Sequence, residues 1–190
     1  MKTLIYSLLG PLLFLAACTN GKNEKQHSAV AESTAKSVSK ETNQGKKSST
    51  AALLSVYLKL KNALTTDNDK QAASAGSEMV AAFASFDEKS LTSEQDKTYN
   101  DIRDDAKEHA EHIGSNAGNI AHQREHFDML SKDMYDLIKL LGTDKPLYVD
   151  RCPMYNSNKG AIWVSEIKEI KNPYLGKAMP TCGTVKEELK

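Results

Sequence analysis

Four histidines stand either side of one short turn. His109 and His112 precede Gly114-Ser115-Asn116-Ala117-Gly118, and His122 and His126 follow it. Spacings of three in the first pair and four in the second put each pair on one face of a helix. If the chain folds back at the turn, His109 and His112 lie about one or two helical turns from the bend, with His122 similarly placed. His126 lies one turn further. At least two imidazoles can then meet across the hairpin, and imidazole is a ligand for zinc, copper, iron and nickel. The alternative is that histidines on polar helices simply face water.

A second group, Cys152, Met154, Met179 and Cys182, occupies the last forty residues. Thiolate and thioether suit Cu(I), whereas Cys combined with His suits Zn(II). Two cysteines in an exported chain can instead close one disulfide. Over about 30 residues that bond would stabilise an irregular tail by roughly 3 to 4 kcal/mol in the chain-entropy model. Spacing alone puts the disulfide ahead of a metal site, without closing off the latter. His122-Gln123-Arg124-Glu125-His126 also has the H-x-x-E-H form of inverted zinc proteases, with the glutamate as general base. Those enzymes draw a distant acidic ligand from a much larger α/β domain, and too little chain follows His126 to build one. No serine nucleophile elbow, phosphate loop or dinucleotide fingerprint is present, so an enzyme is not expected.

Helices are needed to position these groups, and the apolar spacing supplies them. Leu53, Leu54, Tyr57, Leu58, Leu60 and Leu64 recur mostly at intervals of three and four. Thr65-Thr66-Asp67-Asn68 interrupts that pattern, and Asp67 or Asn68 can cap a second helix carrying Ala72, Ala75, Met79, Ala82, Phe83 and Phe86. Thr92-Ser93-Glu94-Gln95 has the capping-box form and opens a third helix, which Gly114 is expected to terminate. The fourth runs from about Asn119 to Leu141, with Gly142 as its stop. Amphipathic helices with short connections predict a mostly α fold, an up-and-down four-helix bundle. The tail changes character. Leu147-Tyr148-Val149 and Ala161-Ile162-Trp163-Val164 read as short strands, set in an irregular Cys/Met/Pro/Gly-rich segment.

The first fifty residues carry an address. Lys2, a mostly apolar run from Leu4 to Ala17, and Leu15-Ala16-Ala17-Cys18 form a short secretory signal. The run is shorter than the roughly 20 residues of a membrane span, and Gly10-Pro11 breaks it. Ending in cysteine, it resembles the bacterial lipobox, which implies removal of residues 1–17 and lipidation of Cys18. Residues 18–49 are largely Lys, Glu, Asn, Gln, Ser, Thr and Ala and predict a disordered tether, leaving 50–190 as one domain. Thr19, not Asp, follows Cys18; by analogy with enterobacterial sorting, this points to an outer-membrane anchor facing the periplasm. Lys plus Arg and Asp plus Glu both number 25, and no basic stripe stands out, so nucleic acid is not an expected partner.

Two tail blocks carry a family resemblance. The first is Leu147-Tyr148-Val149-Asp150-Arg151-Cys152-Pro153-Met154 with Lys159-Gly160-Ala161-Ile162-Trp163-Val164-Ser165. The second runs from Ile170-Lys171-Asn172-Pro173-Tyr174-Leu175-Gly176 to Lys177-Ala178-Met179-Pro180-Thr181-Cys182-Gly183. With His112 and the stretch His122–Phe127, they resemble a Bacteroidota family of unknown function found in small exported proteins. The same domain is appended to periplasmic adaptor subunits of copper/silver-type efflux pumps. The resemblance covers the domain from about Ala51, with Val164 and Leu175 as mild departures. It implies a soft-metal site built from Cys152, Met154, Met179, Cys182, His126 and His112, not all of them on one ion. Copper as Cu(I) is the implied metal, ahead of zinc, and efflux components are the implied partners. If Cys152 and Cys182 are joined, the implied role becomes a disulfide-stapled helical module that docks on an export complex without metal.

Overall fold

A computed structural model of the protein describes residues 49–190. The signal segment 1–17, Cys18 and nearly all of the tether lie outside the described residues; Ser49 is already helical. Helix α1 (49–65) buries Leu53, Leu54, Tyr57, Leu60 and Leu64, the face its spacing marks out. Asn68 caps α2 (Asp69–Ala84) by accepting a hydrogen bond from the Gln71 N–H. Thr92 and Gln95 form the expected capping box at the start of α3 (Ser93–Ser115). Asn119 caps α4 (Ile120–Leu141), and Gly142 follows as its C-cap.

Gly114 does not end its helix. It lies inside α3, whose C-cap is Asn116, and packs directly on Ser77 of α2. Gly76 meets the same seam from the other side: a Cβ there would fall 2.7 Å from the Gly114 nitrogen and 2.9 Å from the Ala110 oxygen. The two glycines are small because two helix backbones touch there. Helices α2 and α3, and α3 and α4, pack as sequence neighbours in a mostly helical bundle. On α4, Phe127, Leu130, Met134, Leu137, Ile138 and Leu141 all enter the core.

The tail is more regular than its proline and glycine content predicts. Strands β1 (Leu147–Cys152), β2 (Ala161–Ser165) and β3 (Thr184–Leu189) form an antiparallel sheet in the order β2-β1-β3. Val149 faces Val164 and Cys152 faces Ala161 across the hairpin, which turns through three left-handed residues, Asn156, Ser157 and Asn158. Strand β3 pairs Leu147 with Leu189 and Arg151 with Thr184, with a bulge between Val149 and Asp150. Its sequence, Thr-Val-Lys-Glu-Glu-Leu, buries only Leu189, so no apolar alternation announces it. Charged residues on an edge strand also discourage pairing with another chain.

Sheet and bundle share one core. Strand β2 packs on α4, and the Tyr57 hydroxyl bonds to Ser131 Oγ at 2.8 Å and accepts the Val164 N–H at 3.0 Å. A run of rings (Tyr57, Phe127, Tyr174, Tyr155) carries aromatic contact from α1 through α4 to the hairpin turn of the sheet.

Candidate metal centre

The α3–α4 turn is pinned before any imidazole is considered. The Gly118 N–H donates to Asp69 Oδ2 at 2.6 Å, and Gln123 Nε2 reaches both the Asp69 and Ile113 carbonyls. On the far side of α4, Arg124 donates to the Pro173 and Leu64 carbonyls and to Asp67 Oδ1. Both helix ends are therefore tied to α2, to the α1–α2 turn and to the tail loop. Side chains projecting from the α3–α4 seam start from fixed backbones.

All four histidines meet at that seam. His112 and His126 stack with ring centres 4.1 Å apart, and His122 meets His126 edge-on at 4.6 Å. His109 Nδ1 lies 3.2 Å from His126 Nδ1. Ligand nitrogens of His112, His122 and His126 all fall within 4.8 Å of one another. No other group of three His, Cys, Asp or Glu residues is so gathered among the described residues.

The neighbours of these rings bear on what they can do. Burial, reinforced by His112, His122 and His109, takes His126 down to about 4. Burial, only partly opposed by Glu108 and Asp105, also holds His109 below its ordinary value. His126 is therefore neutral at pH 7, with a lone pair ready for a cation. Glu125 lies 3.4 Å from His122 Nδ1, and Glu108 lies 3.9 Å from His112 Nε2. His126 thus has one nitrogen within hydrogen-bond reach of His109, the kind of contact that orients an imidazole ligand, while carboxylates stand near His122 and His112. The donor set fits an ion of the zinc or copper kind.

The two tail thiols meet elsewhere. Cys152 is buried at the end of β1, Cys182 is half-buried, and their Sγ atoms stand 3.3 Å apart as free thiols. Burial raises the Cys152 thiol, but Cys182, the Met154 and Tyr155 N–H groups and the Asn172 side chain outweigh it and hold Cys152 below its ordinary value. Cys182 is raised, chiefly by its hydrogen bond to Cys152. Gly183 permits this approach, because a Cβ there would lie 2.9 Å from the Trp163 ring and 3.2 Å from the Arg151 oxygen. Met154 and Met179 are exposed, at 48% and 40%.

Four of the six residues grouped by family resemblance therefore separate into two pairs, and Met154 and Met179 are exposed. His112 and His126 come together, joined by His122 with His109 beside them. Cys152 comes together with Cys182, and no third His, Cys, Asp or Glu among the described residues completes a ligand group with the pair. His122 was visible in advance as the residue four before His126. What spacing cannot give is the helix rotation that turns all four rings into one seam.

Residues 53–145 match the model of a family described as Protein of unknown function (DUF3347), which supports a domain family of unknown function. The matched stretch contains the four histidines and stops before β1, so it bears on the bundle and not on the tail motifs. No curated protein and no solved structure matches the chain.

Proposed function

We propose that this protein is a non-enzymatic metal-binding lipoprotein that holds a transition-metal ion at His112, His122 and His126. The observation that carries this reading is the convergence of three imidazole nitrogens within 4.8 Å on a turn braced from both sides. His112, His122 and His126 would supply the ligands. His109 would hold His126 in the tautomer that points a lone pair inward, and the nearby Glu108 and Glu125 carboxylates would favour the cation electrostatically. The ion itself supplies positive charge and a preferred geometry. Copper is favoured over zinc by the resemblance of the tail to domains on copper/silver efflux adaptors, and sequestration or hand-over to efflux is the corresponding role.

An up-and-down order of the four helices belongs to the same reading, supported by short connections and by packing between sequence neighbours. So does a periplasm-facing anchor through Cys18. No helix among the described residues is long and apolar enough to cross a membrane.

Titrating tag-free protein with Cu(II), and with Cu(I) under reducing conditions, tests the reading. Loss of a ligand should weaken binding at least about 10- to 100-fold in His122→Ala and His126→Ala, the scale seen even for outer-shell partners. Binding weaker than about 1 μM, or unchanged in both variants, refutes it.

A second reading is favoured by the proximity of the two sulfurs: a module stapled between Cys152 and Cys182 that docks on an export complex without metal. It predicts a mass two hydrogens lower before reduction than after, together with no metal uptake.

A further inference from the structure

The thiol pair has a polarity that neither a metal site nor a permanent staple requires. Cys152 is fully buried, whereas Cys182 sits in the loop between Met179 and β3, partly open to solvent. More donors act on the buried sulfur than on the open one, although the Met154 N–H acts on both. The Met154 and Tyr155 N–H groups and the Asn172 amide all lower Cys152, and the Asn172 amide donates to the Cys182 carbonyl at 2.6 Å. Asn172 is itself fixed, because its Oδ1 accepts the N–H groups of Tyr174 and Leu175. Access decides which sulfur an external partner can reach, and a sulfur held low leaves more readily when a disulfide is reduced, so Cys182 is the point of contact and Cys152 the internal leaving group.

We infer that Cys152 and Cys182 form a reversible exchange couple in which Cys182 meets an external thiol or disulfide and Cys152 is the buried resolving sulfur. In the oxidising direction, the Cys182 thiolate attacks one sulfur of an external disulfide. That S–S bond breaks, and one external thiolate leaves and takes up a proton. The Cys152 thiolate then attacks Cys182 in the mixed disulfide and expels the second external thiolate. The protein pair loses two electrons and the external disulfide gains them. In the reverse direction an external thiolate attacks Cys182, and Cys152 departs into the Met154, Tyr155 and Asn172 donors. The sulfurs need only close from 3.3 Å to the roughly 2.05 Å of a disulfide. Oxidation would join the end of β1 to the loop that leads into β3.

The test equilibrates the full mature chain in a series of reduced and oxidised glutathione mixtures, traps free thiols by alkylation and reads intact mass. The expected result is a series passing from dithiol to intramolecular disulfide within the glutathione range. A pair oxidised in every mixture is a static staple and overturns the inference, as does a pair that never bonds. The polarity is tested separately: Cys152→Ser should collect glutathione on Cys182 on the order of tenfold faster than Cys182→Ser collects it on Cys152. Equal rates, with both variants folded by circular dichroism, contradict it. A parallel arm with a thioredoxin-type dithiol protein identifies the source: faster exchange there assigns the reaction to a protein partner, and slower exchange to a low-mass thiol.

Discussion

Asp150 shows how far a single buried residue can depart from what its type predicts. It lies at the bulge of β1, fully buried, and neither carboxylate oxygen has a hydrogen-bond partner. Burial pushes it up to about 7, with Lys61 pulling in the other direction. Lys61 is itself buried and pairs with Glu166 at 2.7 Å, and Tyr57 completes the charged and polar surroundings. A carboxyl whose folded pKa exceeds its unfolded value costs stability as pH rises through the window between them. That window runs from the ordinary value of 3.8 to about 7. Asp150→Asn should therefore gain stability relative to wild type between pH 4 and pH 7, read as a growing difference in urea midpoint. Comparing the two proteins cancels groups that shift in the same range, such as His126 and Asp133. A constant or shrinking difference would show that Asp150 titrates normally. Nothing in the local sequence marks this residue, because its burial depends on strands β2 and β3, which pair it with Trp163 and Val185.

The helices show what could be read in advance and what could not. Caps at Asn68 and Thr92 and the stop at Gly142 are legible, because each depends on atoms a few residues away, while Asn119, read as the first turn of its helix, is its cap. Gly114 was misread as a terminator because its role is set by Ser77 on another helix. Strand β3 was missed because an exposed edge needs no apolar pattern. The glycine seam gives a direct test of helix packing. Alanine at position 76 would gain up to about 1 kcal/mol of helix propensity. Its Cβ, however, would press on backbone atoms of α3 that cannot rotate away. Overpacking costs about 1–3 kcal/mol, so Gly76→Ala should lower stability in chemical denaturation; an increase would mean that α2 and α3 are not in close contact. Tyr57→Phe probes the junction of α1, α4 and β2, where the hydroxyl serves both Ser131 and the Val164 N–H. Leaving those groups unpaired should cost about 1–3 kcal/mol, and a neutral effect would contradict the buried link between bundle and sheet.

For the whole molecule, the proposed account joins an anchor, a helical bundle with an imidazole seam, and a small sheet bearing a thiol pair. Cys18 lies outside the described residues, so its proposed lipidation stands on the lipobox resemblance. Cys18→Ala should move the protein from the membrane fraction to the soluble fraction and abolish incorporation of labelled palmitate. Retention in the membrane with no label would point to another attachment. The family resemblance draws His112 and His126 together with the tail sulfurs, whereas the fold keeps the imidazole seam and the thiol pair apart, so their roles can be separated experimentally. The most direct measurement is metal binding by the Cys152→Ser/Cys182→Ser double variant, titrated with Cu(II) without a histidine tag. The account predicts that about one ion per chain still binds, tighter than about 1 μM, with imidazole nitrogen as the ligand in its electron paramagnetic resonance spectrum. Loss of binding in that variant while His112, His122 and His126 remain intact would contradict it.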